Sequence, residues 1–162
     1  MSTQQASSAL HAVRRAPHPS VYGDPVEWRE GASGRGFIAL LEVFRDSGGT
    51  APGDVVARLL EDHQSGDLVS LAKSIHLGRV FGFEWRSSLW VPMFQFDTDD
   101  LTVKPAAQAV RAALPELGSG WAVAVWFASR NEMLEGRRPV DLLEDEPDRV
   151  LDAARACVPD RI

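Results

Sequence analysis

Two adjacent arginines, Arg137 and Arg138, stand between Gly136 and Pro139 in a chain whose formal charge is −6. A guanidinium presents five N–H donors in a planar fork that grips carboxylate or phosphate with two bonds at once, so this pairing is a chemistry of recognition. Gly136 permits a left-handed turn, and Pro139 suits the first position of a helix. Residues 129–143 therefore read as a helix, a tight corner and a second helix. The corner has two readings: a structural helix-loop-helix junction, or a surface that recognises an acidic group on a partner.

Other reactive side chains are too scattered to combine. His11, His18, His63 and His76 show no HExxH spacing and no i, i+4 pairing, and Cys157 is the only cysteine. A cysteine-based zinc site and an intramolecular disulfide both need a second thiol, so neither is available. Asp97, Asp99 and Asp100 lack the glycine and the distant glutamate of a calcium loop and read as a solvated turn that caps the following helix. No GxSxG, GxGxxG or GxxxxGK[ST] pattern occurs. We expect no enzyme, no cofactor and no metal, and instead a protein that works by binding.

The elements that must position the corner follow from the hydrophobic spacing. Residues 1–36 are rich in Gln, Ser, Pro and Gly and read as a mobile arm, in which Leu10 and Val13 fit one helical turn while Val21, Tyr22, Val26 and Trp28 are free to dock. From Phe37 the residues Phe37, Leu40, Leu41 and Phe44 fall at i, i+3, i+4 and i+7, the stripe of an amphipathic helix, stopped by Gly48 and Gly49. A second helix is expected with Thr50 as N-cap and Pro52 in its first turn, carrying Val55, Val56, Leu59 and Leu60. Asp67 caps a third, with Leu68, Leu71, Ala72 and Ile75, which Gly78 ends. The period then drops to two: Phe81, Phe83 and Trp85 lie on one face of a strand. A turn at Ser87 and Ser88 leads to a return strand over residues 89–96, placed at an edge or a bulge by Pro92. Helical spacing resumes at Pro105, and residues 120–130 are apolar almost all round, the mark of a helix enclosed by others. Two short helices opened by Pro139 and Pro147 complete the chain. The expected fold is mainly α, a compact multi-helix domain with one β-hairpin at about residues 79–96. Its regions are the arm (1–36), helix-turn-helix-like helices plus the hairpin (37–104) and a helical binding region (105–162).

The helix-turn-helix proportions around Gly66 make residues 67–77 the candidate DNA reader, with ordinary packing of two helices as the other and stronger reading. Its outward residues, about Val69, Ser70, Lys73, Ser74 and His76, include one cation, and Lys73 with Arg79 are the residues to test there. Affinity for nucleic acid rests on clustered positive charge, and the chain has only two lysines, Lys73 and Lys104. Promoter DNA is expected to bind weakly and in a strongly salt-dependent way. The N-terminus has no signal-peptide core and no segment has the length of a membrane span, so a cytoplasmic protein without membrane contact is expected. With 162 residues, 44% of them hydrophobic, the chain has the material for one domain of ordinary size plus a tail.

Trp126-Phe127, Asn131, Leu134, Gly136-Arg-Arg-Pro139 and Asp141-Leu-Leu143, followed by Val150-Leu-Asp-Ala-Ala154, keep an order and spacing that resembles the C-terminal toxin-binding domain of the Xre/MbcA/ParS antitoxin family. The resemblance covers about 45 residues strongly. It implies a partner toxin of RES-type fold that consumes NAD and is held inactive when the antitoxin covers the cleft to its active site, so that the chemistry belongs to the partner. It implies a contact surface centred on Asn131, Leu134, Gly136, Arg137, Arg138 and Asp141, with the tail to Ile162 as a plug, and assembly as a homo- or hetero-oligomer. An orphan interaction module without a toxin, or a DNA-binding regulator, is the alternative.

Overall fold

The computed structural model describes residues 33–63, 70–114 and 117–157. They form seven α-helices and a three-stranded antiparallel sheet, which makes the fold mainly α. The arm expected over residues 1–36 lies outside the described residues as far as Ala32. Helix α1 (Gly34–Phe44) starts three residues earlier than the apolar stripe, because Ser33 Oγ accepts the Gly36 N–H at 3.1 Å and so caps it. A 3₁₀ turn (Arg45–Ser47) follows, and Gly48 and Gly49, with φ of 105° and 78°, end it as their type predicts.

The next segment corrects the expected cap. Thr50 is not an N-cap and Pro52 is not in a helix: Thr50–Pro52 is strand β1, paired antiparallel with β3 through Thr50↔Pro92 and Ala51↔Val91. Pairing satisfies the backbone of Ala51, and the φ that proline fixes fits the end of a strand as well as the start of a helix. Helix α2 (Gly53–His63) begins directly afterwards and buries Val56 and Leu60. Helix α3 is Leu71–His76, six residues long, capped by Ser70, whose Oγ accepts the Lys73 N–H. The expected cap Asp67 lies outside the described residues.

The hairpin is present and shorter than expected, with β2 at Phe83–Trp85 and β3 at Ser88–Pro92. Its turn is Arg86-Ser87, one residue earlier than expected, and both residues are left-handed (φ 49° and 61°), the type I′ geometry that matches strand twist. The strand order is β1-β3-β2, so β3, expected at an edge or a bulge, is the central strand. Pro92 is tolerated there because β3 outruns β2, whose last pair is Phe83↔Trp90. Continuing that register would set Phe81 opposite Pro92, which has no N–H to give. The Gln95 side chain takes over: its Oε1 accepts the Phe81 N–H at 2.8 Å, and its Nε2 donates to Phe81 O and Pro92 O, both at 2.9 Å. Gln95 lies in a 3₁₀ turn (Met93–Gln95) that replaces the expected continuation of the strand to Phe96.

Helices α4 (Pro105–Ala112), α5 (Gly120–Ala128), α6 (Pro139–Leu142) and α7 (Pro147–Ala156) follow. The acidic turn does not cap α4, whose N-cap position is held by Lys104. Instead Asp97 Oδ1 accepts the Asp99 N–H, and Asp100 Oδ1 accepts both the N–H and the hydroxyl of Thr102, which closes the turn on itself. Those bonds hold the Asp100 carboxyl below its ordinary range.

Helix α5 buries every residue from Val123 to Ala128 and is the centre of the main core, as its all-round apolar character requires. Trp126 and Phe127 pack edge to face there with centroids 5.1 Å apart, and Phe127 stacks on Phe81. This core draws on both the 37–104 and the 105–162 regions, from Phe37 and Phe44 of α1 to Val150 and Ala154 of α7. Among the described residues no helix is long and apolar enough to cross a membrane.

Candidate functional site

The corner between α5 and α6 is built from the backbone outward. Ser129 ends α5 by donating its hydroxyl to Val125 O at 2.6 Å. The chain then turns through a 3₁₀ segment (Glu132–Leu134) that Asn131 caps: its Oδ1 accepts the Met133 N–H at 2.9 Å. Glu135 and Gly136 are both left-handed, with φ of 57° and 76°, and this reversal brings Arg137 back beside Asn131. The loop is closed by the Asn131 N–H donating to Arg137 O at 3.0 Å, while Asn131 O accepts from Leu134 and Gly136. Leu134, only 1% exposed, anchors the loop in the core from one side, and Pro139, Val140 and Leu142 of α6 anchor it from the other.

The residues expected to touch a partner therefore divide. Asn131 is 3% exposed and Leu134 is buried, so neither is presented to a partner, and their work is to hold the corner's shape. Their positions follow from the Asn131↔Arg137 bridge, a pairing that neighbouring sequence does not announce. Arg137 and Asp141 are exposed, and Gly136 and Arg138 are half-buried. Arg137 Nη1 lies 3.3 Å from Glu146 Oε1. Glu146 also pairs with Arg149, which reaches Glu135 at 3.2 Å. The hydrogen bond and charge of Glu146, with a smaller contribution from Glu135, hold the Arg149 guanidinium above its ordinary range. Arg138 has no ion pair among the described residues. Of the two arginines it is the one with all its donors available.

Met133 was missed by sequence reasoning. Its side chain is 55% exposed on the same loop, one of few large apolar groups so placed. The signal was present: a methionine between a capping asparagine and an inward leucine must point away from that leucine. Flexible, polarizable methionine next to arginine is a composition suited to contact surfaces.

Beside α6 lies a cleft of about 640 Å³. Phe94, Phe96, Leu101, Val140 and Leu143 give it apolar lining, and it carries the carboxylates of Asp46, Asp97, Asp141, Glu144 and Asp145. Lys104 is the only cation among the described residues that line it, and it is paired with Glu144. Asp141 thus belongs to both the corner and the cleft.

The residues singled out for DNA, Lys73 and Arg79, are both exposed. They lie on or beyond a helix of six residues, and Ser74, expected to face outward, is 9% exposed and packed inward. Of the other outward residues, Val69 lies outside the described residues. Among the described residues no group of three or more His, Cys, Asp or Glu side chains is arranged to hold a metal ion. Cys157 accepts the Trp126 Nε1–H at 3.0 Å, and burial pushes its thiol above the ordinary range. No protein-family model, no curated protein and no solved structure matches the chain.

Proposed function

We propose that this chain is an antitoxin-like binding protein that neutralises a RES-type, NAD-consuming toxin by covering the cleft to the toxin's active site. The observation that carries the reading is the corner itself. Residues 131–141 hold a closed loop on buried anchors and turn Arg137, Met133 and Asp141 outward, with Arg138 half-buried beside them. A preorganised loop binds without first losing the freedom of its backbone, which favours affinity. Arginine forks aimed from such a loop match the carboxylates of a partner's surface. The order of Asn131, Leu134, Gly136, Pro139 and Asp141 is the part of the chain that resembles the antitoxins. The reaction would be the toxin's own, and this chain would contribute coverage of its cleft.

The test is co-expression with a RES-type protein encoded beside this chain. The two should elute together, NAD should persist while they are joined, and its consumption should return when they are separated. Separate elution, or NAD loss unaffected by this chain, removes the reading. A promoter-reading role has less support, since α3 is short and carries a single lysine, Lys73. Any DNA binding should disappear as salt is raised.

A further inference from the structure

The cleft beside α6 combines an apolar floor with acidic edges, and three of its carboxylates, Asp46, Asp141 and Asp145, are exposed and make no ion pair among the described residues. A segment that fits it must carry aliphatic side chains to cover Val43, Met93 and Leu101, the half-buried apolar residues of its lining, and cations to reach the edge. This chain contains one. Residues 1–23 include Arg14 and Arg15 and not a single Asp or Glu, in a protein of net charge −6. Leu10 and Val13 precede the arginines three residues apart, the spacing that sets two side chains on one face of a helical turn.

Reach agrees with chemistry. Residues 16–32 connect Arg15 to Ser33, the cap of α1, and can span at most about 60–65 Å when extended. The cleft begins at the opposite end of α1, at Val43 and Asp46, and a helix of 11 residues rises about 16 Å. A tether of that length keeps the segment near the cleft at an effective concentration on the order of millimolar, so a weak contact is enough.

We infer that residues 10–15 dock in this cleft of their own chain, with Leu10 and Val13 on the apolar floor and Arg14 and Arg15 against Asp46, Asp141 and Asp145. Asp141 is shared with the corner, so the docked segment covers one flank of the partner surface. A protein partner that needs Asp141 must displace it.

Hydrogen exchange on the full-length chain tests this without any partner. In the variant Arg14→Glu/Arg15→Glu, amides of residues 93–104 and 140–146 should exchange about two- to tenfold faster than in the parent, with α5 unchanged. Adding Asp46→Arg/Asp145→Arg to that variant reverses both charges and should restore the slower exchange. Unchanged exchange in the first variant overturns the inference, and so does a loss that the charge reversal fails to repair. The protection should not vary on dilution of the parent protein. Protection that falls with dilution would assign the cleft to a second copy of the chain and would overturn docking within one chain.

Discussion

Gln95 and Arg138 show two opposite uses of a polar side chain. Gln95 is 2% exposed and spends its amide on Phe81 N, Phe81 O and Pro92 O, standing in for the ladder partner that proline cannot be. Gln95→Leu keeps the approximate volume and leaves those backbone groups buried without partners. The substitution should cost about 3–5 kcal/mol, read as a lowered denaturation midpoint, since each unsatisfied buried group costs about 1–3 kcal/mol. A midpoint equal to the parent's would mean that water reaches Phe81. Arg138, by contrast, makes no ion pair among the described residues, and Arg137 has one contact to Glu146, of a kind worth about 0–1 kcal/mol at a surface. Replacing both by Ala should therefore leave the melting temperature nearly unchanged. It should weaken a complex through the corner by about 2–5 kcal/mol if the pair is desolvated in it, with Arg138→Ala the larger single effect. Normal binding by the double variant would make the corner structural only, and unfolding would show that the arginines cap the helices instead.

Helix α5 governs the element scale, and its two ends are held by different physics. At its start a Cβ on Gly120 would lie 1.7 Å from Gly82 O, so the helix meets the strand segment backbone to backbone. Gly120→Ala must push the helix off the sheet and should cost about 3 kcal/mol or more. Further along, Trp126→Ala empties a site that is 1% exposed and should cost about 3–5 kcal/mol. Denaturant titration of both variants checks the pair, and a parent-like midpoint for Trp126→Ala would remove the helix from the core. This helix was legible in the sequence because the nearly continuous apolar character of residues 120–130 has one common cause, enclosure, although the helix itself ends at Ala128 and Arg130 is exposed. β1 was not legible: Thr50-Ala51-Pro52 has no period and carries the residue types of a helix start, and only its pairing with β3, about 40 residues away, makes it a strand. The Arg86-Ser87 turn was displaced by one residue because its left-handed pair lacks the glycine or asparagine that normally marks such a turn. At the site, the adjacent arginines and the Gly-Pro frame could be read directly. The burial of Asn131 and Leu134 could not, since it depends on how the loop closes, and the cleft depends on three distant segments, around residues 43–48, 93–104 and 140–145, lining one space.

On the scale of the whole molecule the sheet separates two cores of unequal size. Leu89 and Val91 of β3 pack with α2 and α3, while Trp90, pointing the other way as strand alternation demands, packs with Phe37 and the main cluster. Among the described residues the main cluster contains 21 buried side chains and the second contains six: Val56, Leu60, Leu71, Val80, Val91 and Phe96. Burial of an aliphatic or aromatic side chain stabilises by about 1.5–3 kcal/mol, so the two layers cannot have equal local stability unless they open together. The smaller layer should open first. Native-state hydrogen exchange should find α2 amides exchanging through an opening at least about 2 kcal/mol less costly than that of α5, with a smaller denaturant dependence because less surface is exposed. Equal free energies and equal denaturant slopes for α2 and α5 would instead make the molecule one cooperative unit. The corner stands on α5, α6 and α7, the side with the larger core, so opening of α2 and α3 should leave a complex through Arg137 and Arg138 intact. Repeating the exchange on that complex should raise the opening free energy of α5 and leave that of α2 where it was, whereas an equal rise in both would couple the two layers through the sheet.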